Sequence, residues 1–400
     1  MFIFASLSIN RQSRSLYNSL TVLKDISKAM YRSDNRIVVT LDAGGTNLVF
    51  GAMRGCEYIT QPITYPSNAH NLDHCLDTMV KGFKEVIDSL DEKPVAISFA
   101  FPGPADYPNG IIGGYLPNFP SFRDGVALGP FLQSVFNIPV FINNDGDLFA
   151  YGEAICGALP QLNKQLEEAG SKKRYHNLLG YTFGTGFGVG VVVNGELNRG
   201  DNSCVETFCL PHKTKAGIIA EEGVAVRAIK RVYAEASGDY DHNFEPKEIC
   251  EIADCKREGN VEAARKAFAE FGETAGDSMA IAVQLVDGII VIGGGISAAR
   301  HWILPSLLGE LRSELSTLGG DSVNRVQMKV FNLDDPAEFE EFAKGNPKSI
   351  VVRGTDLTVE YDDMKRIGVT FSKLGASKAI SVGAYAFALS EIDNGNRQIV

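Results

Sequence analysis

No Cys-x-x-Cys pair occurs among the seven cysteines of this 400-residue chain. An odd count spread over such a length argues against a disulfide framework. Cys204, Cys209 and His212 lie close together, but no fourth ligand follows at a recognisable spacing, so structural zinc is not expected. Runs of positive charge are missing too: the net charge is −11, and the basic trio Lys172-Lys173-Arg174 sits in a polar loop. The footprint of a nucleic-acid binder is therefore absent, and nucleic acid is not an expected partner. The apolar stretch Phe2 to Leu7 lacks the basic residues that precede a signal-peptide core and is far too short to span a membrane. A soluble, cytoplasmic protein without a membrane partner is expected.

Two phosphate motifs can be tested by spacing. No Gly-x4-Gly-Lys-Ser/Thr segment occurs, which excludes a P-loop. Gly184-x-Gly186 is followed by Val189 where a dinucleotide turn needs glycine or alanine. Gly293-x-Gly295-x-x-Ala298 does fit that pattern, but the acid due at the end of the next strand falls near Glu310 or Glu314, in a helix-like run. The nicotinamide reading ranks low.

What is present is ordinary globular composition, 44% hydrophobic and 22% charged, with 41 glycines. The length suits about two domains, each with its own core. Leu16, Leu20, Leu23, Ile26 and Met30 predict an amphipathic helix in an N-terminal extension over residues 1–35. Met30 offers an alternative start that would leave residues 1–29 outside the natural chain. From Ile37 the pattern runs strand, glycine turn, strand (Leu48 to Met53) and a further extended run, Tyr58 to Tyr65. A helix around Leu76 to Leu90 follows, then strands Val95 to Phe101 and Pro139 to Ile142. A second unit repeats the theme: strand Leu178 to Phe183, turn Gly184 to Gly188, and strand Val189 to Val193 closed by the hairpin signal Asn194-Gly195. Strand Gly288 to Ile292 leads into Gly293-Gly294-Gly295 and a predicted helix from Ser297 to Leu318. Residues 331–366, polar and broken by Pro336 and Gly345-Asn346-Pro347, read as a surface insertion, and Ser377 to Leu389 as a closing helix. Strands followed by helices imply a mixed α/β fold.

A glycine turn exposes backbone N–H groups and lets the main chain approach phosphate closely. Asp42, at the strand end before Gly44, Gly45, Thr46 and Asn47, can act on a magnesium ion directly or through water. A tight hairpin needing positive φ explains that turn equally well on its own. For Asn144-Asp145 after a strand, a simple turn or helix cap would by itself be favoured.

Taken together, Asp42-Ala43-Gly44-Gly45-Thr46-Asn47, the Phe-Pro-Gly-Pro of residues 101–104, Asn144-Asp145, Gly184 to Gly190 and Gly293-Gly294-Gly295 resemble, in order and approximate spacing, the ROK sugar kinases of the actin-like hexokinase superfamily. The resemblance covers roughly residues 36–320 and the last helix. It implies an α/β fold of two actin-like (ribonuclease H-like) domains with mixed sheets and an interdomain cleft for ATP and sugar. The smaller would hold residues 36–142 plus 376–400, the larger residues 143–375. Asp42 with Gly44, Gly45, Thr46 and Asn47 resembles the first phosphate motif, with Mg2+ reached from Asp42 through water. Gly184, Thr185 and Gly186 resemble the second, and Gly293, Gly294 and Gly295 the turn beside adenosine. Asp145 resembles the general base and Asn144 its sugar-binding neighbour, while Gly103 and Asn118 lie in sugar-side loops.

One element departs from the pattern. Where the family has Gly-Glu-x-Gly-His and then a CxCGxxGCxE zinc cluster, this chain has Val205-Glu206-Thr207-Phe208-Cys209 and no such cluster. Glu206 matches, Cys209 takes the place of the histidine, and His212 could replace it only in a reshaped loop. Glu221 matches the last sugar-binding glutamate, with Glu222 as the alternative. The resemblance thus implies an ATP- and magnesium-dependent kinase for a hexose or related sugar, acting as a homodimer. The altered element favours a rival reading, a catalytically weak sugar-sensing protein without a DNA-binding domain; an actin-like ATPase ranks third.

Overall fold

The structure, a computed structural model, describes residues 31–103 and 105–395. The Phe2 to Leu7 stretch, the expected helix over residues 16–30 and Pro104 lie outside the described residues. The chain forms two compact units, which divide at 142/143 and again at 383/384, with residues 100–102 belonging to the second. The last helix is thus shared between the units, where sequence placed it whole in the first.

In the first unit, β1 (Val38–Ala43) and β2 (Asn47–Arg54) pair antiparallel, with Ala43 opposite Leu48 across the turn. β3 (Glu57–Tyr58) and β4 (Ile63–Pro66) both pair with β2. Beyond β1 lies β5 (Ala96–Ala100), then, past a small ribbon of β6 (Ala105–Asp106) and β7 (Ile111–Ile112), β8 (Val140–Asn143) completes the order β3-β2-β1-β5-β8. Every residue of β5 and β8 is buried, as expected of apolar strands covered on both faces. Helix α1 (Leu72–Asp88) starts at Asn71, whose side chain accepts the His74 N–H at 3.0 Å. Its buried residues Cys75, Met79, Phe83 and Val86 recur at helical spacing. Phe83 meets Phe50 edge to face at 5.1 Å, and Gly82 leaves room for that Phe50 ring. α2 (Leu128–Phe136) precedes β8.

The second unit opens with α3 (Asp145–Ile155) and α4 (Ala158–Glu168). Its sheet runs β11 (Glu196–Leu197), β10 (Phe187–Val193), β9 (Leu178–Phe183), β12 (Ile289–Gly293), β18 (Arg366–Phe371), β15 (Lys329–Asn332). β9 is antiparallel to β10 and parallel to β12, and β18 is parallel to both its neighbours. Asn194 and Gly195 both have positive φ, 52° and 72°, as a two-residue hairpin with the strands' own twist requires. Helix α3 lies directly on β9 and β10, because Gly146, Gly180 and Gly190 stand at the crossing and a Cβ on any of them would overlap the other element. The core beneath this sheet is completed by α5 (Val226–Ser237), α6 (Pro246–Ala253), α7 (Val261–Val286) and α8 (Arg300–Leu311). Gly272 and Gly276 bring α7 against the α8 backbone.

Three expectations are corrected. The helix expected from Ser297 to Leu318 is a 3-10 turn, then α8, then an extended pair, β13 (Glu314–Ser316) with β14 (Ser322–Asn324). Residues 331–366 are not wholly a surface insertion: β15 and α9 (Pro336–Lys344) bury Phe331 and Phe342 in the unit. The exposed part is the ribbon of β16 (Pro347–Val351) and β17 (Thr358–Asp362). Cys75, Cys204, Cys209, Cys250 and Cys255 are free, whereas Cys56 and Cys156 are disulfide-bonded, which sequence reasoning did not foresee. The chain closes with α10 (Ala376–Asp393). Among the described residues no helix is long and apolar enough to cross a membrane.

Candidate active site

Each unit carries a group of the candidate residues. In the first, Asp42 stands at the exposed end of β1. Surrounding protein pushes its carboxyl above the usual range, but its exposure to water screens that effect. The turn beyond it is closed by the Gly44 N–H donating to Asn47 O at 3.0 Å. It is fastened from outside by Ser67, whose N–H donates to Thr46 O at 2.9 Å and whose hydroxyl donates to Gly45 O at 2.5 Å. Neither Gly44 nor Gly45 has positive φ. Closeness is what requires glycine here: a Cβ on Gly45 would stand 3.0 Å from Asn118 Cβ, so the turn and the 116–119 loop touch. Gly103 is a similar case, with the Tyr107 hydroxyl 2.9 Å from where its Cβ would be.

In the second unit, Asn144 caps α3, its Oδ1 accepting the Gly146 N–H at 2.7 Å. Asp145 Oδ1 accepts the same N–H at 2.9 Å, which leaves its carboxylate exposed at a helix N-terminus where negative charge is favoured. A cavity of about 370 Å3 is lined by Asn144 and Asp145, by the turn Gly184 to Gly188, and by Glu206, Phe208, Glu221 and Gly294. Glu221 bridges two parts of it: Oε2 accepts the Phe187 N–H at 3.0 Å and Oε1 pairs with Arg227 at 2.8 Å. Arg227 also donates to the Thr185 carbonyl at 3.1 Å and to Glu222 at 2.8 Å.

The cavity gathers negative charge. Burial, then the nearby Asp147, Asp145 and Glu221, pushes the Glu206 carboxyl up to about 8, and Glu206 Oε2 is buried with no protein partner among the described residues. Asp147, in the first turn of α3, is pushed up to about 7 by burial, against the pull of Arg199 and with a smaller push from Asp145. A carboxyl pushed up in this way keeps its proton to higher pH than an ordinary glutamate, and in that form it donates a hydrogen bond as well as accepting one.

The two glycine turns suit an anion. Among the described residues, no protein acceptor takes the N–H groups of Gly45, Thr46, Thr185 or Gly186, and Thr46 and Thr185 are exposed. Donors of this kind fit phosphate oxygens.

With that geometry in place, similarity to known proteins becomes informative. The sequence profile of the ROK family matches residues 38–330. The chain belongs to the ROK family. This ROK chain is 57% identical to the glucokinase of Parabacteroides distasonis, whose crystal structure superposes with a TM-score of 0.83 over 90% of this chain and 99% of that one. The glucokinase of Halalkalibacterium halodurans is 25% identical over 332 residues, 72% of this chain and 92% of its own. A xylose repressor of Bacillus spizizenii is 31% identical over 127 residues, so this chain spans about 29% of the repressor's length. The ROK hexokinase of Thermus thermophilus, 19% identical with a TM-score of 0.62, shares the actin-like α/β fold.

Of the residues singled out from sequence, Asn144, Asp145, Glu206, Glu221, Gly184, Thr185, Gly186 and Gly294 line one cavity. Asp42, the Gly44 to Asn47 turn, Asn118 and Gly103 belong to the other unit. Cys209 is exposed and absent from the cavity lining, where its neighbour Phe208 stands. His212 is buried, with Nδ1 accepting the Thr214 N–H at 3.2 Å, and it does not line the cavity either. Sequence reasoning missed Asp147 and Arg227. A second carboxylate two positions beyond Asp145 was a visible signal for the first; nothing local marks the second.

Proposed function

We propose that this ROK protein is an ATP-dependent sugar kinase that transfers a phosphoryl group to a hydroxyl of a hexose or related sugar, with Asp145 as general base. The observation that carries this reading is the cavity in which the exposed Asp145 carboxylate stands beside Asn144, Glu206 and a glycine turn with unclaimed amides. Phosphoryl transfer asks a protein to position its reactants, neutralise charge and take one proton. Asp145 takes the proton of the attacking hydroxyl; Asn144, Glu206 and Glu221 hold the sugar's remaining hydroxyls. Arg227 fixes Glu221 and, through the Thr185 carbonyl, the second phosphate turn. In the second unit the turn Gly184 to Gly186 would hold phosphate oxygens and Gly293 to Gly295 would take the adenosine; in the first, the turn Gly44 to Asn47 would offer further phosphate donors and Asp42 a carboxylate for Mg2+. When bound, MgATP supplies the phosphoryl group and part of the charge neutralisation. Glucokinase activity in the relative of 57% identity supports glucose as the first substrate to try.

The remaining parts of the reading are a homodimer and a cytoplasmic location, the latter supported by five free thiols and opposed by the bonded Cys56 and Cys156. Sedimentation of the purified chain checks the first. For the activity itself, ADP release from MgATP is followed with glucose, other hexoses, hexosamines and N-acetylated amino sugars, with Asp145→Ala as the blank. Sugar-dependent turnover lost in the variant supports the kinase. Calorimetric sugar binding without turnover would instead support a sensor, the reading that the partial similarity to xylose repressors favours.

A further inference from the structure

Outside the candidate active site, Cys250, Asp254 and His301 offer three ligand atoms that all lie within 4.8 Å of one another. We propose that these three side chains form a surface site for a borderline-soft divalent ion such as Zn2+. Cys250 and Asp254 are one helical turn apart at the end of α6, where the Asp254 N–H closes the last turn on Cys250 O at 2.9 Å. His301 comes from the first turn of α8. The site therefore joins two helix ends far apart in sequence.

The donor set is what distinguishes this cluster from the chain's many surface carboxylates. A thiolate, an imidazole and a carboxylate suit Zn2+ or Co2+ and leave a fourth position for water. Ligand atoms around a tetrahedral zinc lie about 3.3–3.8 Å apart, so the observed spacing needs side-chain movement of only about 1 Å. His301 Nε2 already meets Asp254 Oδ1 at 2.9 Å, and Trp302 Nε1 donates to the same oxygen at 2.8 Å. That indole N–H holds the carboxylate in place, as outer partners do at metal sites. Arg265, stacked on the Trp302 ring at 4.6 Å, keeps the indole in place.

The His301–Asp254 hydrogen bond gives way as the imidazole moves its proton to Nδ1 and turns the Nε2 lone pair to the metal, and two further features compete with an ion. Lys256 pairs with Asp254 Oδ2 at 2.9 Å, but its side chain is largely exposed and free to swing into water. The Cys250 thiol is raised by burial and by the charge of Asp254, so it must give its proton to solvent as the ion binds. Neither blocks the coordination: the first is a surface ion pair of small worth, and a divalent ion beside a thiol drives the deprotonation.

The test uses the full-length protein, stripped with a chelator and titrated with Co2+ and then with Zn2+. One equivalent of Co2+ giving a thiolate-to-metal absorption, displaced by Zn2+, is expected. Cys250→Ser and His301→Ala should each remove that absorption, while the double variant Cys204→Ser/Cys209→Ser should keep it. Trp302→Phe leaves all three ligands and should weaken binding about 10- to 100-fold. Melting curves of the stripped variants establish that they fold. Absence of stoichiometric metal, or an absorption that survives Cys250→Ser in folded protein, would overturn the proposal whatever the kinase assay finds.

Discussion

Glu221 Oε2 lies 2.9 Å from the point where a Cβ on Gly186 would stand, and the same oxygen accepts the Phe187 N–H at 3.0 Å. The second glycine turn and the acid assigned to sugar binding are therefore fitted to one another. A methyl group on Gly186 would force Glu221 off the amide. Gly186→Ala should fold normally and raise the KM for sugar by about tenfold, the effect of losing one charge-assisted hydrogen bond. A KM unchanged for sugar would separate Glu221 from substrate binding. Gly184 has open space at its Cβ and no positive φ, so Gly184→Ala should melt like the parent.

Asp145→Ala and Asp145→Asn should each lower kcat by about 10²- to 10⁴-fold, the usual worth of a positioned base. Sugar binding, measured by calorimetry, should survive. Turnover retained in a clean preparation would remove Asp145 from the chemistry.

Glu206 and Asp147 give stability a pH dependence of known sign. Their carboxyls are pushed up to about 8 and about 7, so between the ordinary carboxylate range and those values the folded chain holds protons that the unfolded chain has released. Stability must then fall as pH rises through that window. Glu206→Gln keeps a neutral hydrogen-bonding group, so its melting temperature should fall less than the parent's between about pH 5 and pH 8. Parallel curves for the two proteins would show that Glu206 is ionised throughout.

The first glycine turn has its own test. A Cβ at Gly45 would press on Asn118 Cβ at 3.0 Å, so Gly45→Ala shifts the turn against the 116–119 loop. The expected outcome is a higher KM for ATP with little change in melting temperature, read from initial rates at saturating sugar. An unchanged KM would detach this turn from the nucleotide.

Gly383 tests the packing that holds helix α3. Its Cβ would stand 1.9 Å from the Leu148 carbonyl oxygen of α3, and that of Gly152 would stand 2.0 Å from Ala379 O. Gly383→Ala should cost about 3 kcal/mol or more, seen as a lower denaturant midpoint, because neither backbone can yield. A stability within experimental error of the parent would refute this close crossing.

The elements that sequence made legible are those whose cause is local. Ile37, Val38, Val39 and Leu41, with the β-branched Thr40 among them, read as a strand and form a buried one; Asn194-Gly195 is two residues that accept positive φ and forms the hairpin turn. Asn144 caps α3 because its short side chain reaches forward to accept the Gly146 N–H, a property of the tetrapeptide. The ordered glycine turns with Asn144-Asp145 likewise pointed to the family before any coordinates. The polar stretch from residue 331 misled, because one apolar face in each of β15 and α9 suffices to bury Phe331 and Phe342 beneath a charged exterior.

By itself, then, the sequence determined the strand-turn-strand repeats, the positions of the glycine turns and the family to which they belong, since turn chemistry and periodicity act over a few residues. Only the tertiary structure decided which of those residues meet: Gly186 with Glu221, Arg227 with the Thr185 carbonyl, Glu206 among Asp145, Asp147 and Glu221. It alone set the direction in which the cavity's carboxyls are shifted as well. A carboxyl is pushed up by lost water and by charges brought near in space, and neither is encoded at the position of the residue that feels them.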